Sequence, residues 1–124
     1  MVNKYNLTSK VAFLGFQTNP YNILKKSDLL FLTSRWEGFG HVIIESLICN
    51  TPVITFNSKG SVNELINNEA GWKLNNNSID RLALEVDEII YNKKYIHMPK
   101  LNNTYYNKFN IKNIVEEYLA ILNK

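Results

Sequence analysis

Two glutamates with seven residues between them, Glu37 and Glu45, frame the part of this chain whose residue types could do chemistry. They lie in the stretch Ser34–Pro52, which reads SRWEGFGHVIIESLICNTP. Glu37 stands at the mouth of a loop holding two closely spaced glycines, Gly38 and Gly40. Glu45 is embedded in an apolar run of Val42, Ile43, Ile44, Leu47 and Ile48. Glycines at a strand-to-helix junction let a ligand approach the backbone closely. Unpaired N–H groups at a helix N-terminus favour an anion. An acid inside an apolar helix is costly unless it has a partner. Together these features describe a site for a sugar that carries a phosphate group.

The expected geometry follows from these residues. Glu37 can accept from one or two hydroxyls of a pyranose ring, and the amides of Gly38, Phe39 and Gly40 can donate to the same oxygens. The amides of His41 and Val42 can face a phosphate. Helical side chains tilt toward the N-terminus, so the Glu45 carboxylate can reach back and accept from a vicinal diol such as a ribose. Each residue also has a purely structural reading. Glu37 could be a helix-dipole acid and Glu45 a partnered internal one. Gly38 and Gly40 could serve only a tight turn. His41 has no second ligand beside it in sequence, so no metal is expected there. Trp36 reads as a packing or cleft-wall residue, and Glu64 faces either the cleft or solvent.

These residues need elements to position them. Val11–Leu14 is a short apolar run ending at Gly15 and reads as a buried strand. Asn19 and Pro20 are suited to cap and begin a short helix reaching about Lys26. Leu29–Thr33 is a second strand, and the Glu45 helix follows from about Gly40 to Cys49. Pro52–Phe56 is a third strand, with proline where a missing donor is tolerated. Asn57–Ser61 reads as a turn, Ser61–Ile66 as a short helix, Gly71–Leu74 as a small strand and Asn75–Asn77 as a polar loop. Ser78 caps a long helix whose apolar stripe is Ile79, Leu82, Ala83, Val86 and Ile90. Residues 93–108 are less regular, and a last amphipathic helix carries Ile111, Ile114, Val115, Tyr118, Leu119 and Leu122. Alternating apolar strands and helices predict an α/β fold, a Rossmann-like parallel sheet with helices on both faces. Ligands bind beyond the C-terminal ends of such strands, where the loops after Leu14, Thr33 and Phe56 gather.

Composition narrows the function classes. The chain has 124 residues, enough for one domain with a real core. A formal charge of +3, from scattered lysines without an Arg/Lys cluster, argues against a nucleic-acid partner. The single cysteine, Cys49, excludes an internal disulfide and a cysteine-based zinc site, and fits a reducing compartment. No apolar run approaches the roughly 18 residues of a membrane span, and the first residues lack the apolar stretch of a signal peptide. The expected location is cytoplasmic, with peripheral contact at the inner face of the membrane left open.

The segment also resembles the signature of retaining glycosyltransferase family 4, within the C-terminal half of the GT-B fold. The resemblance rests on Glu37-Gly38-Phe39-Gly40, Glu45 and Thr51-Pro52-Val53-Ile54. It is supported by Val11-Ala12-Phe13-Leu14-Gly15-Phe16, by Gly60 with Glu64, and by the closing stretch from Phe109 to Leu122. It implies that Glu37, the catalytic candidate, holds donor-sugar hydroxyls and that Gly38, Phe39 and Gly40 give that sugar backbone N–H groups. Val42 would offer its amide to the diphosphate, and Glu45 would bind the donor's ribose. Gly15, Phe16 and Gln17 would border the nucleobase. The implied reaction needs no metal and no cofactor, because the nucleotide diphosphate sugar is the substrate. The leaving phosphate assists acceptor attack on the same face, and Glu37 is not a glycosidase-type nucleophile.

The chain departs from that pattern in three ways. The family's upstream basic pair and its N-terminal acceptor domain are expected to be missing, and Arg35 does not replace that pair. Lys59-Gly60 stands where a second glycine is common, and Cys49-Asn50 where Cys-Gly is common. The resulting expectation is the donor-binding part of a GT-B enzyme that moves a hexose or N-acetylhexosamine onto a glycan or lipid-linked acceptor in surface polysaccharide synthesis, lipopolysaccharide included. The isolated chain is expected to bind donor weakly and to transfer little. A nucleotide-sugar 2-epimerase of the same architecture and a non-catalytic module that pairs with a partner subunit are the alternatives.

Overall fold

The computed structural model describes residues 1–34, 36–57, 59–60, 62–66, 70–75, 78–94, 107 and 109–122. Its centre is a parallel three-stranded sheet of β1 (Leu30–Leu32), β3 (Val53–Phe56) and β5 (Gly71–Leu74), with β3 in the middle. The register pairs Leu30 with Val53 on one side, and Val53 with Gly71 on the other. All four β3 residues are buried. That suits a run without polar alternation, because a central parallel strand is covered on both faces. Gly71 is required by this pairing: a Cβ there would lie 2.0 Å from the Val53 carbonyl oxygen.

Alternation along β3 sends its side chains into two cores. Val53 joins Ile43 and Leu47 of α2 (His41–Ile48) and Val62 and Leu65 of α3 (Val62–Leu65), with Ile66 and Ala70. Ile54 and Phe56 join Leu74 and Ile89 of α4 (Ile79–Tyr91) on the opposite face. Helices therefore cover both faces, as expected from the sequence. Each fully buried Ile or Leu adds about 1.5–3 kcal/mol relative to leaving it exposed.

Hydrogen bonds fix the turn that delivers α2 to β3. Ser46 Oγ donates to the Thr51 carbonyl at 2.8 Å, and the Thr51 amide returns to the Ser46 carbonyl at 2.9 Å. Thr51 Oγ1 donates to the Leu24 carbonyl at 2.6 Å, tying in α1 (Tyr21–Leu24). Asn50 adopts a positive φ of 59° in this turn, a conformation that asparagine tolerates better than most residues.

Several elements differ from expectation. Val11–Leu14 forms no strand: Phe13 and Leu14 are exposed, and the Val11 amide turns back to the Leu7 carbonyl. An apolar run becomes a strand only when a neighbouring edge takes its backbone groups, and this run meets none among the described residues. Pro20, not Asn19, is the N-cap of α1, and no side chain caps that helix. On α4, Ser78 Oγ accepts from the Arg81 amide as expected, but the inward line is Leu82, Val86 and Ile89. Ile79 and Ile90 point outward, one helical step away. The last helix, α5 (Ile111–Leu122), forms as expected but buries none of its residues. Phe109, just before it, packs on the Ile43 core. Arg35, Ser58, Ser61, Asn76, Asn77, Tyr105 and Tyr106 lie outside the described residues.

Candidate functional site

Because β1 and β3 run parallel, the loops leaving them emerge at one edge of the sheet. A second, two-stranded ladder stitches those loops together there. β2 (Trp36–Glu37) pairs in parallel with β4 (Lys59–Gly60), and Glu37 stands opposite Gly60. Gly60 has φ of 111°, and a Cβ on it would fall 2.0 Å from the Glu37 carbonyl oxygen and 3.3 Å from that of Gly38. Only glycine lets the two backbones meet this closely. The sequence reading placed Asn57–Ser61 in a turn and missed this ladder. Its one trace in the sequence is a glycine shortly after a buried strand.

From Glu37 the chain passes through Gly38 and Phe39 to Gly40, the N-cap of α2. Gly40 is buried and left-handed, with φ of 71° and ψ of 44°. A Cβ there would meet Ile43 Cδ1 at 3.0 Å, Leu65 Cδ1 at 3.3 Å and Glu37 Cγ at 3.4 Å. The stem of Glu37 therefore lies against the start of α2, next to its first turn. No side chain caps this helix, and the Ile43 amide closes back on the Gly40 carbonyl at 2.9 Å. The amides of His41 and Val42 make no hydrogen bond among the described residues. The helix thus keeps two open donors at its positive end.

Glu45 is half-buried on α2, and Glu37 is half-buried on β2. Neither carboxylate has a hydrogen-bond donor or cation as partner among the described residues. The partnered-acid reading of Glu45 thus finds no partner. His41 is exposed, and its ring lies 4.9 Å from that of Phe39. Trp36 is exposed, so it is not a core residue. No three His, Cys, Asp or Glu side chains among the described residues are grouped to hold a metal ion.

The structure gathers Glu37, Gly38, Phe39, Gly40, Val42 and Glu45 on one continuous β2–loop–α2 unit. Among the described residues, Gly15, Phe16 and Gln17 make no hydrogen bond to that unit. Gly15 is left-handed with φ of 61°, the Phe16 side chain is exposed, and Gln17 Nε2 donates to the Leu14 carbonyl at 2.6 Å. The hydrogen bonds of residues 1–19 stay within that segment among the described residues. Arg35, weighed above as a source of positive charge, is outside the described residues. Chemically, the unit offers an acceptor for hydroxyls, open amides for an anion, and a second acceptor one turn along the helix.

Comparison with known proteins agrees with this reading of the fold. The family model for glycosyl transferases group 1 matches residues 1–108, and the chain belongs to that family. A UDP-Gal:alpha-D-GlcNAc-diphosphoundecaprenol alpha-1,3-galactosyltransferase of Escherichia coli is 34% identical over 108 residues, covering 86% of this chain and 28% of that protein. The crystal structure of TarM superposes with a TM-score of 0.82 at 27% identity, over 100% of this chain and 26% of that one. The structure of Anabaena Alr3699/HepE in complex with UDP gives a TM-score of 0.82 at 23% identity, over 98% and 34% of the two chains. The fold is thus that of the GT-B glycosyltransferases. The chain spans between 16% and 32% of the length of the curated relatives it matches.

Proposed function

We propose that this member of the glycosyl transferases group 1 family is the donor-binding part of a retaining, family 4 glycosyltransferase. The whole enzyme would transfer a hexose or N-acetylhexosamine from a nucleotide diphosphate sugar to a glycan or lipid-linked acceptor in surface polysaccharide synthesis. One observation carries the reading: the Glu37 stem lies against the uncapped start of α2, Glu45 sits on the same helix, and neither acid has a donor or cation partner among the described residues. Glu37 then accepts from sugar hydroxyls, the His41 and Val42 amides receive the diphosphate, and Glu45 accepts from the ribose. Open amides at a helix start would stabilise the negative charge that builds on the departing diphosphate. This division needs no resident cofactor or metal.

The UDP bound to HepE and the UDP-Gal donor of the E. coli relative support a uridine diphosphate sugar. No helix among the described residues is long and apolar enough to cross a membrane. A site of action on the cytoplasmic side, at the inner face of the membrane, is part of the proposal. The acceptor domain would come from polypeptide beyond the share of the relatives that this chain spans. The test is calorimetric titration of the chain with UDP, UDP-glucose and UDP-N-acetylglucosamine. Glu45→Ala should weaken all three, whereas Glu37→Ala should weaken the two sugars more than UDP. Equal behaviour of the two variants would sink the role assignment.

A further inference from the structure

His41 gives the donor site proposed above only its backbone amide, yet its side chain is placed to give more. It is the first residue of α2, directly after the left-handed Gly40 cap. Cα–Cβ bonds in a helix tilt toward its N-terminus, so a side chain at this position leans over the end from which the open amides point. The observed ring position agrees: the imidazole lies 4.9 Å from the Phe39 ring in the preceding loop, with the two planes inclined at 55°. His41 is exposed, and neither ring nitrogen has a hydrogen bond or ion pair among the described residues. The described acids around this end are Glu37 of β2, Glu45 four residues along α2, and Glu64 of α3, which lines a cavity with Phe39, Phe109 and Ile114. None of them forms an ion pair with the ring.

We propose that the His41 side chain, as an imidazolium, binds the donor diphosphate beside the open α2 amides. A diphosphate seated on those amides lies at the same end of the helix as the ring, and both nitrogens of a protonated imidazole donate. Such charge-assisted N–H···O bonds are about twice as strong as neutral ones. The carboxylates named above repel an incoming diphosphate, and a cation at the same helix end offsets that repulsion. Histidine is the side chain whose charge changes between about pH 5 and 8. Donor affinity therefore rises as the pH falls through that range. This inference rests on the donor-binding reading above.

The test is calorimetric titration of the 124-residue chain with UDP-glucose at about pH 6 and about pH 8. UDP-glucose is used because its diphosphate is esterified at both ends and keeps its charge over that range, whereas a terminal phosphate titrates within it. The wild-type chain should bind about fivefold more tightly at the lower pH, the strength of one exposed charge pair. His41→Gln should bind at the weaker level at both pH values, and His41→Lys at the tighter level at both. Three results overturn the proposal: UDP-glucose binding by the wild-type chain that ignores pH, a pH dependence that survives in His41→Gln, or a His41→Lys variant no tighter than His41→Gln at the higher pH. In each of these the donor reading stands, because UDP-glucose still binds. Absence of UDP-glucose binding at both pH values sinks the donor reading, and the His41 role with it.

Discussion

Gly60 and Glu37 face each other across a two-residue parallel ladder so closely that a Cβ on Gly60 would lie 2.0 Å from the Glu37 carbonyl oxygen. The loop after β3 therefore sets the position of the loop after β1, and with it the carboxylate proposed to hold the donor sugar.

Gly60→Ala should separate the ladder. The obstructing atom is main chain and cannot rotate away, and φ of 111° strains any side chain. A loss of about 2 kcal/mol or more in urea denaturation is expected, with weakened UDP-sugar binding. A variant with wild-type stability and affinity would show that the ladder does not position Glu37.

Gly40→Ala should cost less, although Gly40 is also left-handed. A Cβ there meets side-chain ends, Ile43 Cδ1 at 3.0 Å and Leu65 Cδ1 at 3.3 Å, and these can yield by a few tenths of an ångström. The remaining term is the left-handed penalty of about 1–2 kcal/mol. Parallel denaturation curves should therefore rank Gly60→Ala below Gly40→Ala, and the reverse order would contradict the geometry.

Thr51→Val tests the brace behind the site. Thr51 is buried, and its hydroxyl donates to the Leu24 carbonyl at 2.6 Å. Valine keeps the shape but removes one of that carbonyl's two donors, the Ser27 amide at 2.9 Å remaining, at a cost of about 0.5–1.5 kcal/mol. Thr51→Ser should recover most of the loss in Tm. If serine is no better than valine, packing rather than the hydrogen bond holds α1 to this turn.

Much of this was legible in the sequence because local signals and burial agree. The β3 run, the Gly71–Leu74 strand, the α2 apolar set and the Ser78 cap each state one structure in their own residues. The Glu37–Gly40 loop and its uncapped helix could be placed for the same reason. What escaped depends on partners distant in sequence. The β2–β4 ladder joins residues 36–37 to 59–60, and two-residue strands carry no periodicity to read. Val11–Leu14 has the composition of a strand but no neighbouring edge among the described residues. The α4 stripe was placed correctly at Leu82 and Val86 but ended on Ile90 instead of Ile89, because the two are identical in type and only the sheet decides which faces it. The convergence of Phe39 with Glu64, Phe109 and Ile114 arises from packing across more than half the chain.

Glu45→Gln separates the two readings that the sequence left open for this acid. If Glu45 held the helix in place through a charge partner, removing the charge would destabilise the free protein. The structure gives it no such partner among the described residues, and the residue as a whole is half-buried. The amide keeps the size and most of the packing. The free variant should unfold within about 0.5 kcal/mol of wild type or later, because residues kept for binding often sit at a local cost to stability. Its affinity for UDP should fall about tenfold, close to 1.4 kcal/mol, through loss of a charged acceptor to the ribose diol. Denaturation and calorimetry on the same preparation decide the matter. A marked drop in stability with unchanged UDP affinity would return Glu45 to a structural role and remove the ribose contact from the proposed site.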